Sequence, residues 1–244
     1  MELIRGLHNL RPRHRGCVAT IGAFDGVHQG HQAVIGHLLE KSAELALPSV
    51  VIVFEPLPGE YFSPKMAPAR LMSFREKFRA IEALGVDRIL RICFTAQLQT
   101  MPAQLFIDSI FVEGLGVDYI VLGDDFRFGM DRKGDLALVR EQGLRYGYEA
   151  VPTPTRSFSG DRVSSTRIRE ALADADFELA GALLGRPYSM SGKVVYGRQL
   201  GREIGAPTAN LGLHRLKAPL SGVYVVEVSG AGLNRAQGGA NVGT

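Results

Sequence analysis

Two histidines and three glycines stand close together in the stretch TIGAFDGVHQGHQAVI, residues 20–35. The histidines are His28 and His31, and the glycines are Gly22, Gly26 and Gly30. An apolar run precedes them and an amphipathic run follows, which predicts a strand that passes into a helix. Glycines at such a turn let an anion approach the backbone, and the helix N–H groups and the imidazoles can donate hydrogen bonds to it. The stretch therefore predicts a phosphate site.

Two other interpretations of the histidine pair remain open. Histidines at i and i+3 could begin a zinc site, but no third ligand lies close in sequence. Alternatively, one histidine caps the helix and the other packs in the core. The three glycines and the change from strand to helix favour phosphate over both.

A second group of donors opens a later helix in the sequence SSTRIR, residues 164–169. The hydroxyls of Ser164, Ser165 and Thr166 precede Arg167 and Arg169. Hydroxyls, first-turn N–H groups and a guanidinium can together bind an oxyanion. The same letters are also an ordinary N-cap signal. If both groups bind phosphate, they could hold two ends of one polyphosphate.

Alternating strands and helices must position these residues. Five apolar runs predict strands: CVATIGAF, SVVIVFEP, RILRICF, DYIVLGDD and YEAVPTP. Four amphipathic stretches between them predict helices, and SSTRIREALADADFELAGALLG predicts one more. The alternation indicates an α/β fold with a doubly wound, Rossmann-like parallel sheet. Both motifs then fall at helix N-termini on the ligand-binding edge of the sheet.

The alternation of strand and helix patterns ends near Gly185. The segments YSMSGKVVYG, TANLGL and GVYVVEVSG are short, rich in β-formers and separated by glycines. They predict antiparallel strands of a partial β-barrel. We therefore expect two domains, residues 1–185 and residues 186–244.

Net charge, hydropathy and cysteine positions limit the partners and the cell compartment that we expect. The chain of 244 residues carries a net charge of only +3, which argues against a nucleic-acid surface and favours small anions. No run of 18 apolar residues is present, so no membrane span is expected. Cys17 and Cys93 lie far apart, as expected of reduced thiols in a cytoplasmic protein.

The chain resembles the bacterial bifunctional riboflavin kinase/FMN adenylyltransferase family, also called FAD synthetase. The resemblance rests on segments in a fixed order: GAFDGVHQGH, FEPLPGEYF, RLMSFREKF, GDDFRFG, SSTRIR and LLGRPYSMSGKVVYGRQLGREIGAPTANL. It covers essentially the whole chain. HxGH alone is typical of a wider nucleotidyltransferase superfamily, whereas its combination with GDDFRFG, SSTRIR and PTAN is specific.

For the first domain, the resemblance implies transfer of AMP from ATP to FMN, giving FAD and pyrophosphate. The implied catalytic residues are His28, His31, Ser165, Thr166 and Arg169. Nucleotide and flavin contacts are implied for Gly22, Phe24, Asp25, Gly26, Gly30, Phe62, Asp125, Phe126 and Phe128. Each of these phenylalanines taken alone is more often a core residue than a flavin contact.

For the second domain, the resemblance implies ATP-dependent phosphorylation of riboflavin to FMN. Gly197, Gly201 and Gly205 would cover the ATP phosphates, and Thr208 and Asn210 would bind Mg²⁺. The resemblance implies a catalytic glutamate beyond the final GGANVGT, so this chain is expected to be a truncated form that converts riboflavin to FMN negligibly.

The sequence departs from the family pattern at Ala23 and Leu57, where the family often has Asn and His. Ala23 therefore receives no catalytic role. Two alternatives to the flavin enzyme are a nucleotidyltransferase for another phosphorylated acceptor and a noncatalytic flavin or nucleotide sensor. A class I aminoacyl-tRNA synthetase shares a HIGH-type turn, but this chain lacks an anticodon-binding region and a KMSKS-like loop beyond PKMAPAR.

Overall fold

A six-stranded parallel sheet forms the centre of the computed structural model, which describes residues 1–196 and 208–243. Its strands are β1 (Glu2–Arg5), β2 (Cys17–Ile21), β3 (Ser49–Phe54), β4 (Arg88–Ile92), β5 (Val117–Gly123) and β6 (Glu149–Thr153). They lie in the order β1-β4-β3-β2-β5-β6, and all neighbours are parallel. The prediction of a doubly wound α/β sheet is confirmed.

Helices cover both faces of this sheet. They are α1 (Gln29–Leu45), α2 (Pro58–Phe62), α3 (Phe74–Ala83), α4 (Ala96–Gln99), α5 (Ala103–Phe106), α6 (Leu136–Tyr146), α7 (Ser165–Ala173) and α8 (Phe177–Leu184). Ile35 of α1 and Ile81 of α3 pack on one face of the sheet. Phe106 of α5 and Val139 of α6 pack on the other. The central strands β2 and β3 are buried throughout because apolar helix faces cover them on both sides.

Strand β2 lies at the point where the direction of the crossovers reverses. The chain leaves β2 toward β3 on one side and leaves β5 toward β6 on the other. Ligands of open α/β sheets bind in the crevice at the carboxyl ends of such strands. The stretch with His28 and His31 follows β2 directly, so the fold places it at this crevice.

Strand β1 and the break in the last predicted helix are two of the differences from the sequence prediction. Strand β1 was not predicted, because it is only four residues long and an arginine-rich segment follows it. In the structure, the Glu2 carboxylate of this strand bonds to the side chains of Arg13 and His14. The single helix predicted after Ser164 is two helices, α7 and α8. Ala175 has φ of +57°, which breaks the helix, and the Asp176 carboxylate accepts the Leu179 N–H to begin the next one.

The C-terminal residues form antiparallel pairs, as predicted. Strands β9 (Lys193–Val195) and β10 (Asn210–Gly212) pair, and β11 (Gly222–Gly230) pairs with β12 (Leu233–Val242). A short hairpin of β7 (Ser157–Phe158) and β8 (Asp161–Arg162) lies earlier in the chain. Helix α8 ends at Gly185, which adopts φ of +71° as a left-handed C-cap.

Candidate functional site

The two histidines of the HxGH stretch lie face to face at the start of α1. Their ring centroids are 3.7 Å apart, with an angle of 17° between the planes. His28 is the N-cap residue, and its Nδ1 accepts a hydrogen bond from the His31 backbone N–H at 3.3 Å. An Nδ1 that accepts is unprotonated, so the proton of neutral His28 is on Nε2. His28 therefore has Nε2–H as its free donor.

Both imidazoles are neutral at pH 7. Burial lowers the pKa of His28 to about 4. Burial lowers the pKa of His31 well below its usual value, and the positive charge of Lys77 adds to this effect. The Nδ1 of His31 is buried and has no hydrogen-bond partner within the described residues. The pair can donate hydrogen bonds to an anion without serving as a cation.

Asp25 connects the HxGH turn to α7. Its buried carboxylate accepts the backbone N–H groups of Leu71 and Met72 at 3.1 Å and the Arg169 Nη2 at 2.7 Å. The Ser165 hydroxyl donates to the Asp25 carbonyl at 2.8 Å. These contacts bring the two predicted phosphate-binding motifs together, although 140 residues separate Asp25 from Ser165.

The remaining donors of the SSTRIR segment have different surroundings. Ser164 caps α7 by accepting the Arg167 N–H at 3.2 Å, as the N-cap interpretation predicted. Thr166 lies in the first turn of the helix and is exposed to solvent. The Nε of Arg169 donates to the Ala69 carbonyl at 2.6 Å, so this guanidinium is held by two fixed acceptors.

The glycines of the turn allow close packing inside the protein. A Cβ on Gly30 would lie 3.1 Å from the His28 ring, and one on Gly26 would lie 2.8 Å from the Leu71 side chain. Gly26 also has φ of +88°, which disfavours any other residue. Gly22 is similarly close to Phe24, whose buried ring lies 5.0 Å from that of His31.

The predicted flavin contacts lie along a ridge of aromatic rings. Phe62 is 55% exposed and touches Phe94, with ring centroids 5.5 Å apart. Phe128 is buried in the core and stacks on half-buried Phe126 at 5.6 Å. Rings of Phe54, Phe94 and Phe106 link the two ends. Phe62 and Phe126 thus offer accessible ring surface, whereas Phe128 supports it from below.

Asp125 is exposed and does not enter the histidine turn in this structure. It forms an ion pair of 2.8 Å with Arg162 of β8. Asp124, beside it, accepts the Thr155 hydroxyl at 2.5 Å. These bonds tie the GDDFRFG loop to the β7/β8 segment next to the start of α7.

Two basic side chains from other parts of the chain hold the histidine turn, and the sequence alone did not predict them. The buried Lys77 donates to the Ala23 carbonyl at 2.7 Å, and burial lowers its pKa. Arg186 donates to the carbonyls of Gly26 at 2.6 Å and Val27 at 3.1 Å. Both lie within segments noted for family resemblance, SFREKF and LLGRPYS, but only the tertiary fold shows that they hold the turn.

A cavity of about 450 Å³ opens beside the histidine turn, along one face of α1. It is lined by Gln29, Gln32, Ala33, Gly36, His37, Glu40, Arg156 and Gly185. Gln29 follows His28 directly, so the cavity adjoins the first turn of α1. The side chains of Gln29, Gln32, His37, Glu40 and Arg156 give it a polar lining.

The residues predicted for the second domain are only partly described. Gly197, Gly201 and Gly205 lie outside the described residues. Thr208 and Asn210 are exposed, and Asn210 begins β10 opposite Val195. Among the residues that the structure describes, no cluster of three His, Cys, Asp or Glu side chains could hold a metal ion.

Comparisons with known proteins match both halves of the chain. A family model described as FAD synthetase matches residues 10–167, and one described as Riboflavin kinase matches residues 184–244. The bifunctional riboflavin kinase/FMN adenylyltransferase of Pseudomonas fluorescens is 51% identical over 228 residues, which cover 93% of this chain and 73% of that protein. The protein of the same description from Escherichia coli K12 is 47% identical, with 100% of this chain and 78% of that protein covered.

A solved structure has a similar fold. The crystal structure described as a macrolide-efflux protein from Streptococcus pneumoniae matches with a TM-score of 0.80 and 31% identity. The match covers 100% of this chain and 79% of that chain. In the described ranges 1–196 and 208–243, no helix combines the length and the apolar character needed to cross a membrane.

Proposed function

This chain belongs to the bifunctional riboflavin kinase/FMN adenylyltransferase family, and on that premise we propose that residues 1–185 transfer the adenylyl group of ATP to FMN. The products are FAD and pyrophosphate. The family places the chain in flavin cofactor biosynthesis, and the matches do not favour the sensor or a different phosphorylated acceptor.

The neutral histidine pair suits this reaction. An oxygen of the FMN phosphate attacks the α-phosphorus of ATP, and the bond from that phosphorus to the bridging oxygen of the leaving pyrophosphate breaks. The attacking phosphate is already ionised, so no general base is required. Hydrogen-bond donors are needed where charge develops. The Nε2–H of His28 is such a donor, and it keeps its proton throughout.

The convergence of the two donor groups on Asp25 is the observation that carries this proposal. The hydroxyl of Ser165 and the guanidinium of Arg169 both bond to Asp25, which lies three residues before His28. The N-termini of α1 and α7 therefore flank the same turn. We assign the triphosphate to this turn, with Thr166 and Arg169 on the side of the leaving pyrophosphate.

We assign the adenosine of ATP and the isoalloxazine of FMN to two different surfaces, the cavity and the aromatic ridge. The cavity along α1 would take the adenosine, because it adjoins His28 and offers Gln29 and Gln32 as polar partners. The ring surfaces of Phe62 and Phe126 would take the isoalloxazine, an aromatic system that stacks on such side chains. Asp25 and Gly26 shape the turn between them.

For residues 186–244 we propose membership of the riboflavin kinase domain, with riboflavin and ATP as substrates. Thr208 and Asn210 supply exposed hydroxyl and amide oxygens, which are hard donors that Mg²⁺ accepts. A bound Mg²⁺ would neutralise phosphate charge. Gly197, Gly201 and Gly205 would cover the phosphates. The Mg²⁺ requirement and the cytoplasmic location stay predictions.

The experiment is to incubate the protein with FMN, Mg²⁺ and ATP analogues and to separate the flavins by chromatography. β,γ-Methylene ATP should support FAD formation, because the bond that breaks lies between the α and β phosphates. α,β-Methylene ATP should not. If FMN and ATP bind and no FAD forms with ATP, the protein is a sensor and the proposal fails.

A further inference from the structure

The segment Arg70–Ser73 lies between the proposed adenylyl-transfer turn and the C-terminal part of the chain. On one side, the backbone N–H groups of Leu71 and Met72 bond to the Asp25 carboxylate. The Leu71 side chain also fills the space left by the missing Cβ of Gly26. This segment therefore sets the position of Asp25 through both hydrogen bonds and packing.

Two C-terminal side chains hold the other side of the same segment. The Tyr188 hydroxyl donates to the Leu71 carbonyl at 3.1 Å. Arg215 Nη1 donates to the carbonyls of Arg70 at 3.2 Å and Leu71 at 3.3 Å, and to the Tyr188 oxygen at 3.1 Å. Burial raises the pKa of Tyr188 to about 12, so it stays a donor at neutral pH.

Arg215 is fixed by a buried ion pair. Its Nη2 lies 2.6 Å from Glu76 Oε2, and the two side chains are 1% and 9% exposed. Glu76 also accepts the N–H groups of Ser73 at 2.6 Å and Ser191 at 2.5 Å. A charged side chain buried in this way is costly unless it is paired, so the geometry of Arg215 is strongly determined.

We propose that Tyr188 and Arg215 are positioning residues for adenylyl transfer. They fix the carbonyl of Leu71. The N–H groups of Leu71 and Met72 orient the Asp25 carboxylate. Asp25 then orients Arg169 and the loop that ends in His28. This inference rests on the proposed function of residues 1–185. It makes the C-terminal part of the chain a component of the first site, although it contributes no group that touches ATP or FMN.

The test uses Tyr188→Phe, which removes one hydroxyl and keeps the ring, together with Arg215→Lys. We expect the kcat for FAD formation to fall about 10-fold with little change in either KM, because a small displacement of reacting groups slows chemistry more than binding. Arg235→Ala is the matched control, since within residues 1–196 and 208–243 the Arg235 side chain forms one exposed ion pair, with Glu227 in the β11/β12 hairpin. It should leave kcat unchanged.

A double-mutant cycle separates positioning from general stabilisation. The effects of Tyr188→Phe and Asp25→Asn on kcat should be non-additive, because both act through the Leu71 peptide. Variants with a lower Tm and unchanged kcat would overturn the proposal, and so would fully additive effects.

Hydrogen exchange gives a readout that does not need turnover. The amides of Leu71 and Met72 should exchange faster in Tyr188→Phe, and those of β12 should not. Unchanged protection at both amides would overturn the proposal even if the wild-type protein made no FAD. Absence of FAD from the wild-type protein would instead count against the proposed function alone.

Discussion

Arg169 and Asp25 form an ion pair of 2.7 Å across 144 residues of sequence. The Asp25 carboxylate is almost fully buried, whereas the arginine keeps a fifth of its side chain exposed. One end of the guanidinium is therefore fixed inside the protein, and the exposed remainder can bind the phosphate that we propose there. A planar side chain with several donors can serve both partners at once.

Arg169→Lys should lower kcat/KM for FAD formation by about 10²-fold, although the charge is retained. Lysine cannot bond to the Ala69 carbonyl, the Asp25 carboxylate and a phosphate in the fixed arrangement of the guanidinium. Steady-state kinetics with FMN and ATP measures the effect. Arg145→Lys, on the exposed side of α6, is the control. Equal activity of Arg169→Lys and wild type would remove Arg169 from the site.

His28→Ala should lower kcat/KM by about 10²-fold or more, because one preorganised donor is lost. It should also lower the free energy of unfolding by about 1 kcal/mol, because His28 is the N-cap of α1. His28→Asn separates the two effects. Asparagine is a good N-cap, so stability should recover while activity stays low; recovery of both would make His28 structural only.

His31→Ala should lower kcat/KM by about 10²-fold as well, with the α1 cap kept, since the capping side chain belongs to His28. The control is His37→Ala, farther along the same helix, which should affect ATP binding more than kcat because His37 lines the cavity. Normal turnover of His31→Ala with early melting would support the packing interpretation.

Acid should destabilise the protein through the histidine pair. The pKa of His28 is about 4 in the folded state and about 6.5 when unfolded, so the unfolded chain binds more protons between these values. The contribution of His28 is complete above pH 6.5 and is lost as pH falls toward 4. Denaturant titrations over this range should show a smaller loss for His28→Asn. The same slope in both proteins would contradict a buried neutral His28.

Ala33→Leu should raise the KM for ATP about 10-fold and leave kcat unchanged, because the larger side chain fills the cavity along α1. Ala43→Leu places the same side chain on an exposed position of that helix and is the matched control. If only the KM for FMN rose, the cavity would belong to the flavin.

The sequence alone predicts the sheet well and the site only in part. The strands β2 to β6 follow from apolar runs between amphipathic stretches, and HxGH and SSTRIR indicate where phosphate would bind. Lys77, Arg186 and Arg215 could not be assigned in this way, because each bonds to backbone carbonyls far away in sequence. The break at Ala175 was missed because its residue types fit a helix, and only the left-handed backbone shows it.

The wide sequence separation of Asp25 from its partners has a consequence during synthesis on the ribosome. Leu71 and Met72 emerge early, but Arg169 follows Asp25 by 144 residues. At a translation rate of about 5–20 residues per second, this delay is roughly 7–30 s. During that time Asp25 lacks the arginine that pairs with it in the folded protein. The donor group that we propose for the leaving pyrophosphate is therefore completed only once α7 has been synthesised.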